Sequence, residues 1–456
     1  MNKENFNFIL LMIFVLCVVF TSCKTEKNTI TAERSKSVEI EIPVLMEGIP
    51  ILAWYGVQEH TIERYLEMKE CGIDYNYSEF QNVELLAKAM DTANTAGIKM
   101  LVYCPELEYE PEKIANRFKD HPAITGYHLQ DEPNRNDFSR LNELIKRIQA
   151  VDNEHFCYIN LFPNYASSKQ LGTSTYLEHV QLFLQEVPVE ILSFDHYPIS
   201  TNPRVRYINK VRRIVPLSFY NWTNTRVRYL RKGWYENLEI ISTEARKAGK
   251  PFWAFALTTA LDSYPIPTLA DLRLQVYSNL VYGAQGIQYF TYWTPSSGDE
   301  DFHDGPIDYK TQQKTATWYT VQQMNEEIKG LSSVFLGAQV IKVEHIVIDA
   351  LGGNGNVPTG TTRFNFAKRP TEANIIKMFK IPNNTNAVVS FLKNGNRCYM
   401  VVINRNLSGG ANVTFTITGG EGLQLIKKDG TAVSASSESS KQTVTPGDAL
   451  IYGWDN

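Results

Sequence analysis

The stretch VELLAKAMDTANTAGIKMLVYC, residues 83–104, decides the fold. From Val83 to Ala96 its apolar residues return at helical spacing, Gly97 breaks the pattern, and an apolar run follows to Cys104. A period near 3.6 residues reads as a helix, and a short apolar run behind a glycine reads as a strand. The run does not alternate strictly, which suits a strand covered on both faces and therefore a parallel sheet. Glycine marks the same return at Cys71-Gly72-Ile73 and at Ala284-Gln285-Gly286-Ile287.

Working outward, the strand candidates are Pro50–Tyr55, Ile73–Tyr77, Lys99–Cys104, Ile124–Leu129, Phe156–Leu161, Glu190–Phe194, Pro251–Leu257 and Ile287–Trp293. Helical stretches such as Phe138–Val151, Tyr235–Lys247 and Leu269–Tyr282 lie between them. Strict β-α alternation through eight strands predicts a (β/α)8 TIM barrel over residues 46–333. An open doubly wound sheet is the alternative, but no GxGxxG follows the first strand. Past Leu331 the helices stop. Short alternating runs are broken at Lys393-Asn394-Gly395-Asn396, Ser408-Gly409-Gly410 and Lys428-Asp429-Gly430, and these predict a small C-terminal β-sandwich over residues 334–456.

Composition narrows the class. With 43% apolar residues, 21% charged and a net charge of −4, the chain is a folded globular protein. That balance argues against nucleic acid as the main partner, since phosphate binding draws on surplus Lys and Arg. At the start, Lys3 precedes an unbroken apolar run from Ile9 to Phe20, shorter than the roughly 20 residues that span a bilayer. It reads as the core of a signal peptide. Phe20-Thr21-Ser22-Cys23 resembles the lipobox of bacterial lipoproteins, an ordinary cleavable signal being the alternative. The resemblance implies that residues 1–22 are removed, that Cys23 is acylated, and that residues 23–45 form a tether. It also implies an extracytoplasmic protein anchored to a bacterial membrane by lipid. The remaining Cys71, Cys104, Cys157 and Cys398 show no metal-ligand spacing and are expected as buried thiols, so no metal is expected.

In a barrel the chemistry gathers at the C-terminal ends of the strands. Those ends carry Trp54 and Tyr55 in the first strand, Glu79 in the second and Tyr103 in the third. The fourth gives His128 and then Gln130-Asp131-Glu132-Pro133-Asn134, the fifth Asn160, and the sixth Asp195-His196-Tyr197-Pro198. The seventh ends in Thr258 with Asp262 beyond it, and the eighth gives Tyr292 and Trp293. An acidic and aromatic rim without a nucleotide loop, a metal cluster or a GxSxG elbow suits sugars. Carboxylates serve their hydroxyls and acid–base steps, and flat rings cover their apolar faces. No cofactor is expected.

The run Gly126-Tyr127-His128-Leu129-Gln130-Asp131-Glu132-Pro133 resembles the strand-four Asn-Glu-Pro of the retaining (β/α)8 glycoside hydrolases. Phe290 to Trp293, and a barrel followed by a β-sandwich, are similar to them as well. The resemblance implies Glu132 as general acid. The strand ends themselves read as a pocket lined by Trp54, Tyr55, Glu79, His128, Asn160, His196, Tyr197, Tyr292 and Trp293. Two features depart from the resemblance. Asp131 stands where that clan has Asn, as in hexosaminidases that use the substrate's acetamido group as nucleophile. And Pro251 to Thr259, where the clan's nucleophilic Glu belongs, holds no carboxylate. Asp195, Asp262 and Glu79 stay open as partners of Glu132, with Asp195 the first choice. A carbohydrate-binding lipoprotein that has lost a catalytic partner, and a substrate-assisted N-acetylhexosaminidase using Asp131 and Glu132, are the alternatives. Finally, Thr201 to Lys232 carries many Arg and Lys, including Arg204, Arg213, Arg228 and Arg231, and no Asp or Glu. It reads as a solvated basic helix face or as a wall for an anionic sugar.

Overall fold

The computed structural model describes residues 48–201, 228–296, 300–348, 355–383, 385–435 and 440–456. The expected signal peptide and tether, with Cys23, lie outside them, as does most of the basic loop. Among the described residues, ten strands occupy the first part of the chain. They are β1 (Ile51–Trp54), β2 (Tyr75–Asn76), β3 (Lys99–Val102), β4 (Ile124–Asp131), β5 (Phe156–Leu161), β6 (Leu192–Phe194), β7 (Ile199–Thr201), β8 (Arg228–Leu230), β9 (Phe252–Leu257) and β10 (Gly286–Phe290). Eight of them close a parallel barrel in the order β1-β2-β3-β4-β5-β6-β9-β10 and back to β1, as the alternation predicts. The remaining two, β7 and β8, pair antiparallel beyond the end of β6.

The deciding stretch folds for local reasons. The Asn82 side chain accepts the Leu85 N–H at 3.0 Å and caps the helix Val83–Ala96. Gly97 ends it at φ 72°, the left-handed turn that glycine adopts without a Cβ clash. The strands behind such turns are buried on both faces. Leu52, Trp54, Leu101, Tyr158, Trp253 and Phe255 pack together inside the barrel. Their neighbours Ala53, Met100, Val102, Ile159 and Ala254 face the helix layer.

β4 breaks this alternation in a useful place. Its register against β5 shifts between His128 and Gln130. His128 lies among rings inside the barrel, while Leu129 packs on the outer core and Gln130 meets Asp137 and Arg140 on the helix side. The bulge lets two consecutive residues face outward, so Asp131, three after His128, points back into the mouth.

Among the described residues, nine further strands follow the barrel. A six-stranded sheet is formed by β11 (Gln339–Ile346), β13 (Ala387–Asn394), β14 (Arg397–Asn404), β16 (Gln424–Ile426), β17 (Ala432–Ser434) and β19 (Ala449–Asp455). A three-stranded sheet is formed by β12 (Ile376–Lys380), β15 (Val413–Gly419) and β18 (Ser440–Val444). The period of two divides the larger sheet. Val388, Leu392, Val401, Ile403 and Ile451 join the core of the barrel. Val389, Phe391, Met400, Val402 and Tyr452 join Phe379, Phe415 and Ile417 of the smaller sheet. Among the described residues no helix is long and apolar enough to cross a membrane.

Candidate active site

Glu132 follows β4 directly and holds φ at 48°, unusual for a side chain with a Cβ. Its backbone N–H donates to the Asn160 carbonyl at 2.8 Å, which fixes the turn. Asn160, on β5, then organises the carboxyls. Its amide nitrogen donates to Asp131 Oδ1 at 3.0 Å and to Asp195 Oδ1 at 3.2 Å. Its carbonyl accepts from Ser193 Oγ at 2.9 Å, and Ser193 is held in turn by Tyr158 at 2.7 Å and Gln288 at 2.8 Å. This buried chain leaves the Asn160 amide one orientation, with its donors toward the acids.

Three carboxyls thus stand within electrostatic reach of one another. Burial pushes Glu132 up to about 7, and the Asp131 charge adds to the effect. Asp131 opens to solvent at the mouth, yet the surrounding protein still raises it, and Glu79 raises it further against the pull of the Asn160 hydrogen bond. Asp195 is buried and lifted well above the carboxylate range, by burial first and then by Glu132 and Asp131. Burial and two acidic neighbours thus oppose ionisation of Asp195, with the Asn160 donor pulling the other way. Glu132 is poised to gain and lose a proton near neutrality, which is what a general acid needs.

Aromatic rings make the floor and one wall. Trp54 meets Tyr77 at 4.4 Å, His128 at 5.0 Å and Phe255 at 5.4 Å between ring centroids. Neither ring nitrogen of His128 has a partner among the described residues, and burial pushes its pKa down to about 3, so the imidazole is neutral. Tyr197 stacks on Phe290 at 5.5 Å, and its hydroxyl feels both Asp195 and Asp131. Glu79, exposed after β2, acts on Tyr55, Tyr77 and Tyr103 as well as on Asp131, so it belongs to the same rim.

The structure therefore brings together Trp54, Tyr55, Glu79, His128, Asp131, Glu132, Asn160, Asp195 and Tyr197. His196 stands at the edge of the site: its ring meets Tyr165 edge-on at 4.9 Å and feels the Arg231 charge, while its Nδ1 lies 3.3 Å from Asn237 Oδ1 on the helix Trp234–Lys247. Two expectations are corrected. β10 ends at Phe290, so the strand period no longer carries Tyr292 inward. The Tyr292 ring enters the outer core, 3.4 Å from Trp318 Nε1. Trp293 packs there too, under the Arg64 guanidinium at 5.6 Å. Phe290 is one of the pocket residues that were missed, with Tyr77, Tyr165 and Tyr264. The alternation Gln288, Phe290 along β10 would have found Phe290. Asp262 sits exposed after β9 and is not among the charges acting on Glu132. At the end of β9, Thr258 is tied to the Thr291 carbonyl at 2.8 Å and no carboxylate appears. Among the described residues no group of three or more His, Cys, Asp or Glu could hold a metal.

Residues 168–331 match the glycoside hydrolase family 42 model, described as Beta-galactosidase. The match stops short of Glu132 and includes the bare end of β9. A beta-galactosidase, BgaA of Planococcus sp. (strain 'SOS Orange'), is 23% identical over 284 residues, which are 52% of this chain and 41% of that protein. The aligned region thus spans about two fifths of that relative's length. Among solved structures, a catalytic mutant of a GH42 beta-galactosidase from G. stearothermophilus aligns at a TM-score of 0.57 and 8% identity, covering 92% of this chain and all of the other. The beta-galactosidase of Bacillus circulans sp. alkalophilus aligns at 0.54 and 10%, over 91% of this chain and all of the other. At these identities what the structures share with this chain is its fold, the eight-stranded barrel with its C-terminal sheets.

Proposed function

We propose that this protein is a glycoside hydrolase whose general acid is Glu132. The observation that carries the reading is a half-buried glutamate at the end of the fourth barrel strand, pushed up to about 7 and within electrostatic reach of Asp131, Asp195 and Tyr165. Protonated, Glu132 would donate to the glycosidic oxygen as the bond breaks, then recover its proton from water. Asp195 suits the partner role less well, since burial and two acidic neighbours oppose its ionisation. Asp131, opening to solvent and oriented by Asn160, is better placed to stay ionised. The substrate is a glycan, and a β-galactoside is the first to assay, given the names of the relatives above. A chain acylated at Cys23 and held to a membrane outside the cytoplasm completes the proposal.

The test is hydrolysis of substrates with poor leaving groups by Glu132→Gln. Loss of general acid catalysis costs about 10²–10⁴-fold in kcat. The wild-type rate should also fall above about pH 7, where Glu132 gives up its proton. An unchanged rate in the variant would remove Glu132 from the mechanism.

The bare end of β9 favours a second reading, substrate-assisted hydrolysis in which Asp131 orients an acetamido group. Under it, Asp131→Asn would abolish cleavage of N-acetylhexosaminides and spare the binding of neutral sugars. Sugar binding without turnover on any glycoside would instead identify a binding protein.

A further inference from the structure

Arg231 follows β8 at the barrel mouth, its backbone N–H donating to the Pro198 carbonyl at 2.7 Å. Its guanidinium lies over two tyrosine rings, 4.8 Å from the Tyr264 centroid and 5.5 Å from that of Tyr165. The two rings belong to the carboxyl site. Asp195 acts on both hydroxyls, Glu132 acts on Tyr165, and Tyr264 meets Tyr197 edge-on at 6.1 Å. An aromatic wall thus runs from Phe290 through Tyr197 and Tyr264 to Tyr165, and the cation stands at its outer end.

The positive charge of Arg231 has no ion-pair partner among the described residues. Arg228, three residues before it, does have one, reaching Asp271 at 3.1 Å. A partner from its own loop is impossible, since Thr201 to Lys232 contains no Asp or Glu. Nor is the charge spent on the general acid, because the causes acting on Glu132 are burial and Asp131. A half-buried guanidinium that lies over two rings keeps its planar fork of donors for an anion.

We propose that Arg231, held by Tyr165 and Tyr264 beside the carboxyl cluster, recognises an anionic group on the saccharide, either the carboxylate of a uronic acid or a sulfate ester. This rests on the glycoside hydrolase reading and names the substrate class within it.

The test is calorimetric titration of the full chain with three probes: a neutral galacto-oligosaccharide, an oligogalacturonate and a sulfated galacto-oligosaccharide. One of the two acidic probes should bind about tenfold to a hundredfold tighter than the neutral one, the worth of a hydrogen bond to a charged group. Which of them does so separates carboxylate from sulfate. The preference should fall to about twofold or less in Arg231→Gln and survive in part in Arg231→Lys, with melting curves confirming that both variants fold. Equal affinity for all three probes, or a preference untouched in Arg231→Gln, overturns the assignment. If a neutral glycan binds or is cleaved without acidic preference, this inference alone fails. If nothing binds and no glycoside is cleaved, the hydrolase reading falls with it.

Discussion

Asp195 holds the most costly charge position of the site, since it is buried and faces two other acids. The consequence for stability follows from its sign. A free aspartate titrates near 3.9, so below about pH 4 the folded and unfolded states both carry the proton and nothing is lost. As pH rises the unfolded chain ionises while the folded one resists, and stability drains away up to the folded value. Asp195→Asn cannot ionise and escapes this loss. Its melting temperature should match the wild type near pH 4 and exceed it by a gap that widens as pH rises toward the folded value. A gap that stays constant with pH would show that Asp195 is ionised in the folded protein. The sequence placed Asp195 at a strand end and so within the site, but not its protonation state. That depends on Asn160, Ser193 and Gln288, which three different strands bring around it. Glu132 was easier to read, because burial and the adjacent Asp131 are both local to its own turn.

At the level of the element, β4 shows what a linear pattern conceals. The strand was legible from Ile124 to Leu129, and the glutamate beyond it could be counted as the end of the fourth strand. The bulge was not legible. Strict alternation from His128 would send Asp131 to the helix side, and only pairing with β5 reveals the extra residue. The same pairing demands a glycine three residues before the bulge. A Cβ on Gly126 would lie 2.5 Å from the Phe156 carbonyl oxygen, which is strand backbone and cannot step aside. Gly126→Ala should therefore push β4 from β5 and cost about 1–3 kcal/mol, the range for overpacking a close-fitted core. Urea unfolding measures it, and a variant as stable as the wild type would mean that the two strands separate freely here. Tyr292 failed for the converse reason. Its distance from Gln288 kept the strand period, but β10 had already ended at Phe290.

Across the whole molecule, the barrel and the C-terminal sheets share one interior. Half of the larger sheet's apolar residues pack into the barrel core, and Ser390 Oγ donates to the Val281 carbonyl at 3.0 Å at the end of a barrel helix. A network of ions crosses the same junction. Arg273 holds both oxygens of Glu327, Tyr277 donates to Glu327 at 2.6 Å, and Lys428 spans from Tyr277 at 2.9 Å to Asp448 at 2.6 Å. Sequence periodicity announced two architectures and a change of character near Leu331, because each obeys its own period. It was silent about the seam, since a strand residue facing a helix and one facing a second sheet follow the same alternation. A seam of this kind couples the two parts. Calorimetry of the chain should show one unfolding transition rather than a barrel peak and a sandwich peak. Glu327→Ala strips the nearly buried Arg273 of its principal carboxylate and should cost about 3–5 kcal/mol, the penalty for breaking a buried pair from one side. Because Arg273 also touches Asp448 on the sheet side, the whole transition should move down together. Two resolved peaks, with the variant shifting only the barrel, would mean that the sheets are a passenger on the barrel.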